Sequence, residues 1–346
     1  MATEQIAVLR APLAAGVPPS AVAVYARWWQ LETYLREVVY TELRAELGTR
    51  WTERIDPGVL SRAERDQVNA YMASADADEI LAYADVGVLF ELIEENWRLF
   101  EPILLPRPRW VGLTDVLKAI RHRSAHCRRP HADDLARLEQ ALRDLEPGAR
   151  EFYRSYNHVS HRIGDRGGAL VEGWVDRHHP DAARLLDHCD INYGITFQLG
   201  LTIRPSASGR SSSNSIAGTP GFIWEATWIL AGDTAVRPAA LWKSLDTGVR
   251  ELLLHLLMDD SSVTATFAAV DGEREIADAI GRIFDAIVVT SRRPQPSDPM
   301  VPADADEWNA RNLQVSASLP SKAQFNSTLA MFDPTDPAAF TIFSAD

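Results

Sequence analysis

Cysteine is scarce: Cys127 and Cys189 are the two in 346 residues. They build neither a disulfide framework nor a C-x-x-C zinc knuckle, which excludes a small stapled secreted fold and leads us to expect a reducing, cytoplasmic setting. Long apolar runs are missing as well. None approaches the ~20 residues that span a bilayer, so no membrane partner is expected. The opening stretch MATEQIAVLRAPLAAGVPPS places an acid where a secretory leader carries cations, and it lacks a long apolar segment, so no such leader is expected. Neither a G-x-x-x-x-G-K phosphate loop nor a G-x-S-x-G elbow occurs. Net positive charge is absent too: 35 Lys and Arg against 48 Asp and Glu leave −13. That balance argues against nucleic-acid binding over the whole surface and leaves room for a local basic site. The hydrophobic share of 46% is ordinary for globular protein and excludes global disorder.

What is present divides by its periodicity. After Pro18 and Pro19, with Ser20 as N-cap, the segment AVAVYARWWQLETYLREVVYTELRAEL places Val24, Trp28, Leu31, Leu35, Val38 and Val39 at three- and four-residue spacing. This is one buried helical stripe. A short helix at about Ser61–Met72 follows. A second long helix, VGVLFELIEENWRLF, is capped by Asp85 and ended by Pro102. A proline-punctuated link leads to DVLKAIRHRSAHCRR, capped by Thr114 and stopped at Pro130, then to a helix over Ala132–Leu145 closed by Pro147-Gly148. Short links between helices suit an antiparallel bundle.

Past a mixed, helical stretch the period changes to two. INYGITFQLGLTI reads as a half-buried strand from Ile191 to Ile203, hairpin-paired with FIWEATWIL across a Ser/Gly-rich loop. PAALWKSLDTGVRELLLHLL reads as a helix, SVTATFAAV as a third strand and EREIADAIGRIFDAIVV as a last helix. The expected fold is an all-α N-terminal bundle plus a C-terminal α+β domain ordered β-β-α-β-α. The expected parts are an extension over 1–19, the bundle over 20–147, a helical connector over 148–190, the α+β domain over 191–290 and a Pro/Asp-rich tail over 291–346.

The chemistry concentrates in one window. Lys118, Arg121, Arg123, Arg128 and Arg129 fall between Asp115 and Asp133 with no acid among them, and His122, His126 and His131 share the stretch. Cations hold a phosphodiester, and an imidazole moves a proton near neutrality. On an ideal helix Arg121 and His126 are turned by roughly 140° from one another, whereas His122 and His126 share a face. A site using Arg121 with His126 is easier to build when a second copy of the helix faces the first, which points to a homodimer with a cleft on its axis.

Arg121-x-x-x-x-His126 resembles the R-x4-6-H motif of the HEPN superfamily, whose members include metal-independent ribonucleases of toxin–antitoxin, abortive-infection and CRISPR-linked systems. The helix order WWQLETYLREVVYTELRAELGTRWTERI, EENWRLFEPIL and IRHRSAHCRRPHADDLARLEQAL, with Ala125 before the His, resembles the Swt1-type and abortive-infection HEPN domains over about residues 20–147. The resemblance implies an endoribonuclease without metal or other cofactor, acting in defence or toxicity, with an antitoxin or defence-system partner. His126 would act as general base or acid on the ribose 2′-hydroxyl and Arg121 would stabilise the charged phosphorane. A 2′,3′-cyclic phosphate and a 5′-hydroxyl end would result. His122 stands where the family often has Asn, and Cys127 where some HEPN toxins carry a modifiable Tyr.

Supporting residues come from the same reading. Arg123, Arg128, Arg129 and Lys118 would steer RNA by charge. Glu32, Arg36 and Asn96 are polar residues of the helical half that could line the cleft, and His122 would support the pair. The tryptophans Trp28, Trp29, Trp97, Trp224 and Trp228 read as core. Two rival readings stay open. One makes the bundle a non-catalytic scaffold or ligand-binding module, with the C-terminal domain as sensor. The other is a metallohydrolase built from His158, His161, His178, His179 and His188 with Cys189 or Asp187.

Overall fold

The computed structural model describes residues 16–68, 80–161, 168–193, 195–209, 216–230, 235–236, 238–258, 262–292 and 323–325. Among them the chain forms two compact units. One comprises the chain up to Tyr40 together with Ala84–Phe152; the other comprises Thr41–Tyr83 and Tyr153–Asp333. The division is therefore interleaved along the sequence, where linear boundaries near 147 and 190 were expected.

The first unit is helical. Helix α1 (Pro19–Leu47) starts one residue before the expected cap Ser20 and continues into the second unit. Its stripe of Val24, Trp28, Leu31, Leu35, Val38 and Val39 is at most 3% exposed. Burying each such side chain stabilises by about 1.5–3 kcal/mol. Helix α2 (Pro57–Val68) belongs to the second unit. Helix α3 (Val86–Glu95) is capped by Asp85, whose carboxylate accepts from Val88 N at 3.2 Å. The expected single helix breaks at Asn96, whose φ of −113° and ψ of 29° leave the helical range, and resumes as α4 (Trp97–Phe100).

Helix α5 (Arg107–Ala125) begins well before Thr114, which sits inside it with its hydroxyl donating to Val111 O. The start is at Pro106 because Pro108 falls in the first turn, where its missing N–H costs nothing. Helix α6 (Asp134–Asn157) runs straight through Pro147 and Gly148. The expected stop fails because tertiary packing holds the helix on: a Cβ on Gly148 would lie 1.9 Å from Ile103 O, so the bare backbone admits the chain after α4. Phe90 and Trp110 meet edge to face at 5.6 Å, and Leu117, Ile120, Leu138, Leu142 and Leu145 complete this core.

The second unit is α+β. Helices α7 (Ala169–Trp174) and α8 (Pro180–Tyr193) precede strand β1 (Thr196–Ile203). The expected strand from Ile191 thus starts later, because α8 carries the chain through Tyr193. Strand β2 (Phe222–Ile229) pairs antiparallel with β1 from Thr196↔Ile229 to Ile203↔Phe222, as the hairpin reading required. A short strand β3 (Ala235–Val236) follows, then α9 (Pro238–Ser244) and α10 (Thr247–Leu252). These were expected as one helix running to LLLHLL. Asp246 instead caps α10 on Val249 N, and the apolar run becomes strand β4 (Leu253–Met258). A run of six that is apolar except for His255 suits a strand buried on both faces as well as it suits a helix, and Leu253, Leu254, His255 and Leu256 are all buried.

Strand β5 (Ser262–Ala268) lies between β2 and β4, antiparallel to both. Helix α11 (Glu273–Thr290) runs into β6 (Ser291–Arg292), which pairs with β3. The short β7 (Ala323–Phe325) adds in parallel to β4, giving the order β1-β2-β5-β4-β7. Four antiparallel strands thus replace the three expected. Phe284 of α11 joins Trp174, Phe197 and Trp228 in one aromatic cluster with centroids 5.3–6.2 Å apart. Gly200 is bare because a Cβ there would meet Val159 Cγ1 at 2.2 Å, where Ser160 bridges Leu201. Residues 210–215 of the Ser/Gly-rich loop lie outside the described residues, as does most of the tail after Ser291. Among the described residues no helix is long and apolar enough to cross a membrane.

Candidate active site

The basic window occupies the C-terminal turns of α5 and the corner that follows. Ile120 and Leu117 are buried, so the neighbouring positions are turned outward: Arg121 is half-buried, and His122 and His126 are exposed. Helix α5 ends at Ala125, and His126 is its C-cap with φ −97° and ψ 19°. Cys127 N donates to Ser124 O and Arg128 N to Arg123 O, with Cys127 at φ 53°. This is a Schellman stop with cysteine at the left-handed position usually held by glycine. The imidazole of His126 therefore hangs from the helix end, and its ring meets that of His122 at 4.5 Å between centroids.

Arg121 is oriented by helix α1. Its Nε lies 3.4 Å from Glu32 Oε2. The same oxygen accepts from Trp28 Nε1 at 2.6 Å, and Oε1 accepts from Arg36 Nη2 at 2.5 Å. Glu32 is 8% exposed, so one buried carboxylate fixes two guanidiniums, and the cluster keeps an uncompensated positive charge. The closest approach of Glu32 to Arg121 is at Nε. Among the described residues the Arg121 side chain makes no hydrogen bond, and it is 34% exposed. The arrangement can accept a second anion.

The other expected residues separate by their partners. Arg123 makes two hydrogen bonds to Asp134, one of 2.8 Å from Nε to Oδ2 and one from Nη2 to Oδ1. Asp134 also accepts from His131 N at 2.8 Å. Burial alone would raise the Asp134 pKa; the Arg123 hydrogen bonds, the His131 N–H and the adjacent charge more than reverse this and hold it below the usual range. Arg123 therefore pins the α5–α6 corner. Lys118 is exposed, with Nζ 5.7 Å from the Phe90 ring centroid. Arg128 and Arg129 are exposed. Asn96 donates to Leu92 O and serves its own helix end.

One expectation about aromatic residues is corrected. Trp28, Trp224 and Trp228 are core, but Trp29 is 54% exposed and Trp97 is half-buried under Arg107. Helical spacing alone had put Trp29 beside Trp28 on a buried face; the core turns to Trp28 and Leu31 instead. Among the described residues no group of three or more His, Cys, Asp or Glu is placed to hold a metal ion. His179 stacks on Trp174 at 5.1 Å and meets Asp278 at 3.0 Å, a packing role. The side chains of His188 and Cys189 lie outside the description.

From its sequence position Glu32 reads as a supporting residue; that it joins Trp28, Arg36 and Arg121 shows only in the packed chain. Their helical spacing on α1 held part of that signal. Comparison with known families now decides the class of this region: residues 29–146 match the Swt1-like HEPN family. The segment is a HEPN-superfamily domain. It spans about a third of the chain and includes both Arg121 and His126. HEPN domains are generally associated with ribonuclease activity. No curated protein and no solved structure matches the chain.

Proposed function

We propose that the chain is a metal-independent endoribonuclease in which the HEPN domain cleaves RNA by attack of the ribose 2′-hydroxyl. Arg121 and His126 are the catalytic residues. Arg121 stabilises charge on the phosphorane through the exposed part of its guanidinium. His126 moves the 2′-hydroxyl proton, with His122 supporting its ring. Arg36 and Glu32 position Arg121, while Lys118, Arg128 and Arg129 steer the polyanion. In one chain Arg121 turns to α1 and His126 turns to His122, so the reading uses a homodimer in which two copies of the motif share a cleft. A defence or toxin role, with an antitoxin or other defence-system partner, follows from the family resemblance.

The observation that carries this reading is the carboxylate Glu32 holding two arginines beside an exposed imidazole pair. The test is digestion of single-stranded RNA in EDTA. We expect fragments ending in 2′,3′-cyclic phosphate and 5′-hydroxyl, no cutting of the 2′-deoxy strand, and loss of cleavage in both Arg121→Ala and His126→Ala at unchanged helicity. An inactive wild-type chain, or full activity in either variant, overturns the reading. Folded, RNA-binding but inactive wild-type protein would return the domain to a scaffold role.

A further inference from the structure

Helix α1 carries an aromatic pair that the core does not use. Tyr25 is 59% exposed and Trp29 is 54% exposed, with ring centroids 6.3 Å apart and planes tilted by 44°. The buried stripe of the same helix is complete without them. Successive helical residues turn by about 100°, so Tyr25, Trp29, Glu32 and Arg36 fall within a sector of about 60°. Arg36 follows Trp29 by about 10.5 Å along the axis. The exposed rings and the Glu32-held guanidiniums are therefore two ends of one surface.

We propose that Tyr25 and Trp29 form a stacking platform for bases of a single-stranded RNA whose backbone phosphate is held by Arg36 and Arg121. The proposal rests on the ribonuclease reading of Arg121 and adds substrate-positioning residues to it. An exposed indole and phenol offer π-faces to any base, which gives stacking without sequence preference. The excess guanidinium at the other end of the sector supplies the match for the phosphate. A second copy of the chain fits this face less well. Among the described residues the exposed large hydrophobics of the first unit are Val17, Tyr25, Trp29 and Val111. An interface of standard size needs an apolar core drawn from ~20–30 residues a side. Two separated rings bordered by arginines match a stacked, charged strand.

The test uses the full chain and a labelled single-stranded RNA carrying 2′-O-methyl groups, which blocks the nucleophile and isolates binding. Trp29→Ala should weaken binding roughly tenfold or more, and Trp29→Phe should restore most of it. The same strand with abasic positions should bind wild type as weakly as intact RNA binds Trp29→Ala, with no further loss on that variant. The salt dependence should stay the same, because no phosphate contact is removed. With unmodified RNA, Trp29→Ala should raise KM and leave kcat in place.

Unchanged affinity in both Trp29→Ala and Tyr25→Ala overturns the proposal. So does an equal loss on abasic RNA, or conversion of a dimer to a monomer by Trp29→Ala in sedimentation, which assigns the face to a second copy. Wild type that binds the blocked strand but leaves normal RNA uncut overturns the ribonuclease reading alone. Wild type without RNA affinity overturns the platform.

Discussion

Glu32 and Glu42 sit on the same helix and each holds arginine, but they do so in opposite ways. Glu32, in the first unit, serves Arg36 and Arg121, whose side chains are 15% and 34% exposed. Glu42, in the second unit, pairs with Arg204 alone at 2.8 and 2.6 Å, and neither side chain is more than 1% exposed. Burial pushes the Glu42 carboxyl up, and Arg204 works against that push. A carboxylate held by one arginine and sealed from water is a device of the fold. A carboxylate with two cations, one facing outward, keeps charge for something else. Burial and stoichiometry separate the two roles where residue type does not.

The largest expected effect tests the sealed pair. Arg204→Ala should destabilise by about 3–5 kcal/mol, since it strands a buried carboxylate. Replacing both partners, Glu42→Leu with Arg204→Met, should recover most of that in urea unfolding. A loss below ~1 kcal/mol in the single variant would show that water reaches the pair. The open cluster should respond in rate instead. Arg121→Ala should lower RNA cleavage by at least ~100-fold, about 3 kcal/mol of transition-state stabilisation, while the thermal midpoint stays put. A large drop in the midpoint would make Arg121 structural.

A third carboxylate, Glu225, pairs with no arginine among the described residues. Burial lifts Glu225 from 4.5 to about 7, against a weak opposing hydrogen bond from Thr227 Oγ1 at 3.4 Å. Between those two values the folded state binds more protons than the unfolded chain, so stability falls as pH rises from about 4.5 to about 7 and then levels off. The full swing is at most about 3 kcal/mol. Glu225→Gln should flatten the slope in that window; an unaltered slope would assign the proton uptake elsewhere.

Smaller effects sharpen the contrast. Glu32→Gln should lower kcat about tenfold by loosening Arg36 and Arg121, with stability within about 1 kcal/mol because both arginines reach solvent. A collapse in stability would place Glu32 with Glu42. Last, Cys127→Gly should raise stability by up to about 1 kcal/mol, since glycine takes φ 53° without steric strain. Denaturant midpoints measure it, and a loss would mean that the thiol packs at this corner.

The parts that could be read in the sequence are those whose cause is local. The α1 stripe, the Asp85 cap, the β1–β2 hairpin and the last helix follow from periodicity and capping. The errors have one cause in common. Pro147-Gly148 reads as a stop until Ile103 O occupies the space a Cβ would need, and LLLHLL reads as helix until β5 offers it a ladder. At the site, the R-x4-H pair and the basic run were visible. The capture of Arg123 by Asp134 and the outward turn of Trp29 were not, because each depends on which face the core selects.

Residue order alone settled that a basic, histidine-bearing helix end stands in an acidic chain, that helices precede strands, and that a HEPN-type motif lies late in the bundle. These are consequences of spacing along one element. Tertiary structure alone decided which arginines are buried in their ion pairs and which stay partly exposed. Charge compensation is a property of distance and burial, and residues remote in sequence, such as Glu32 and Arg121 or Glu42 and Arg204, acquire both only when the chain has packed.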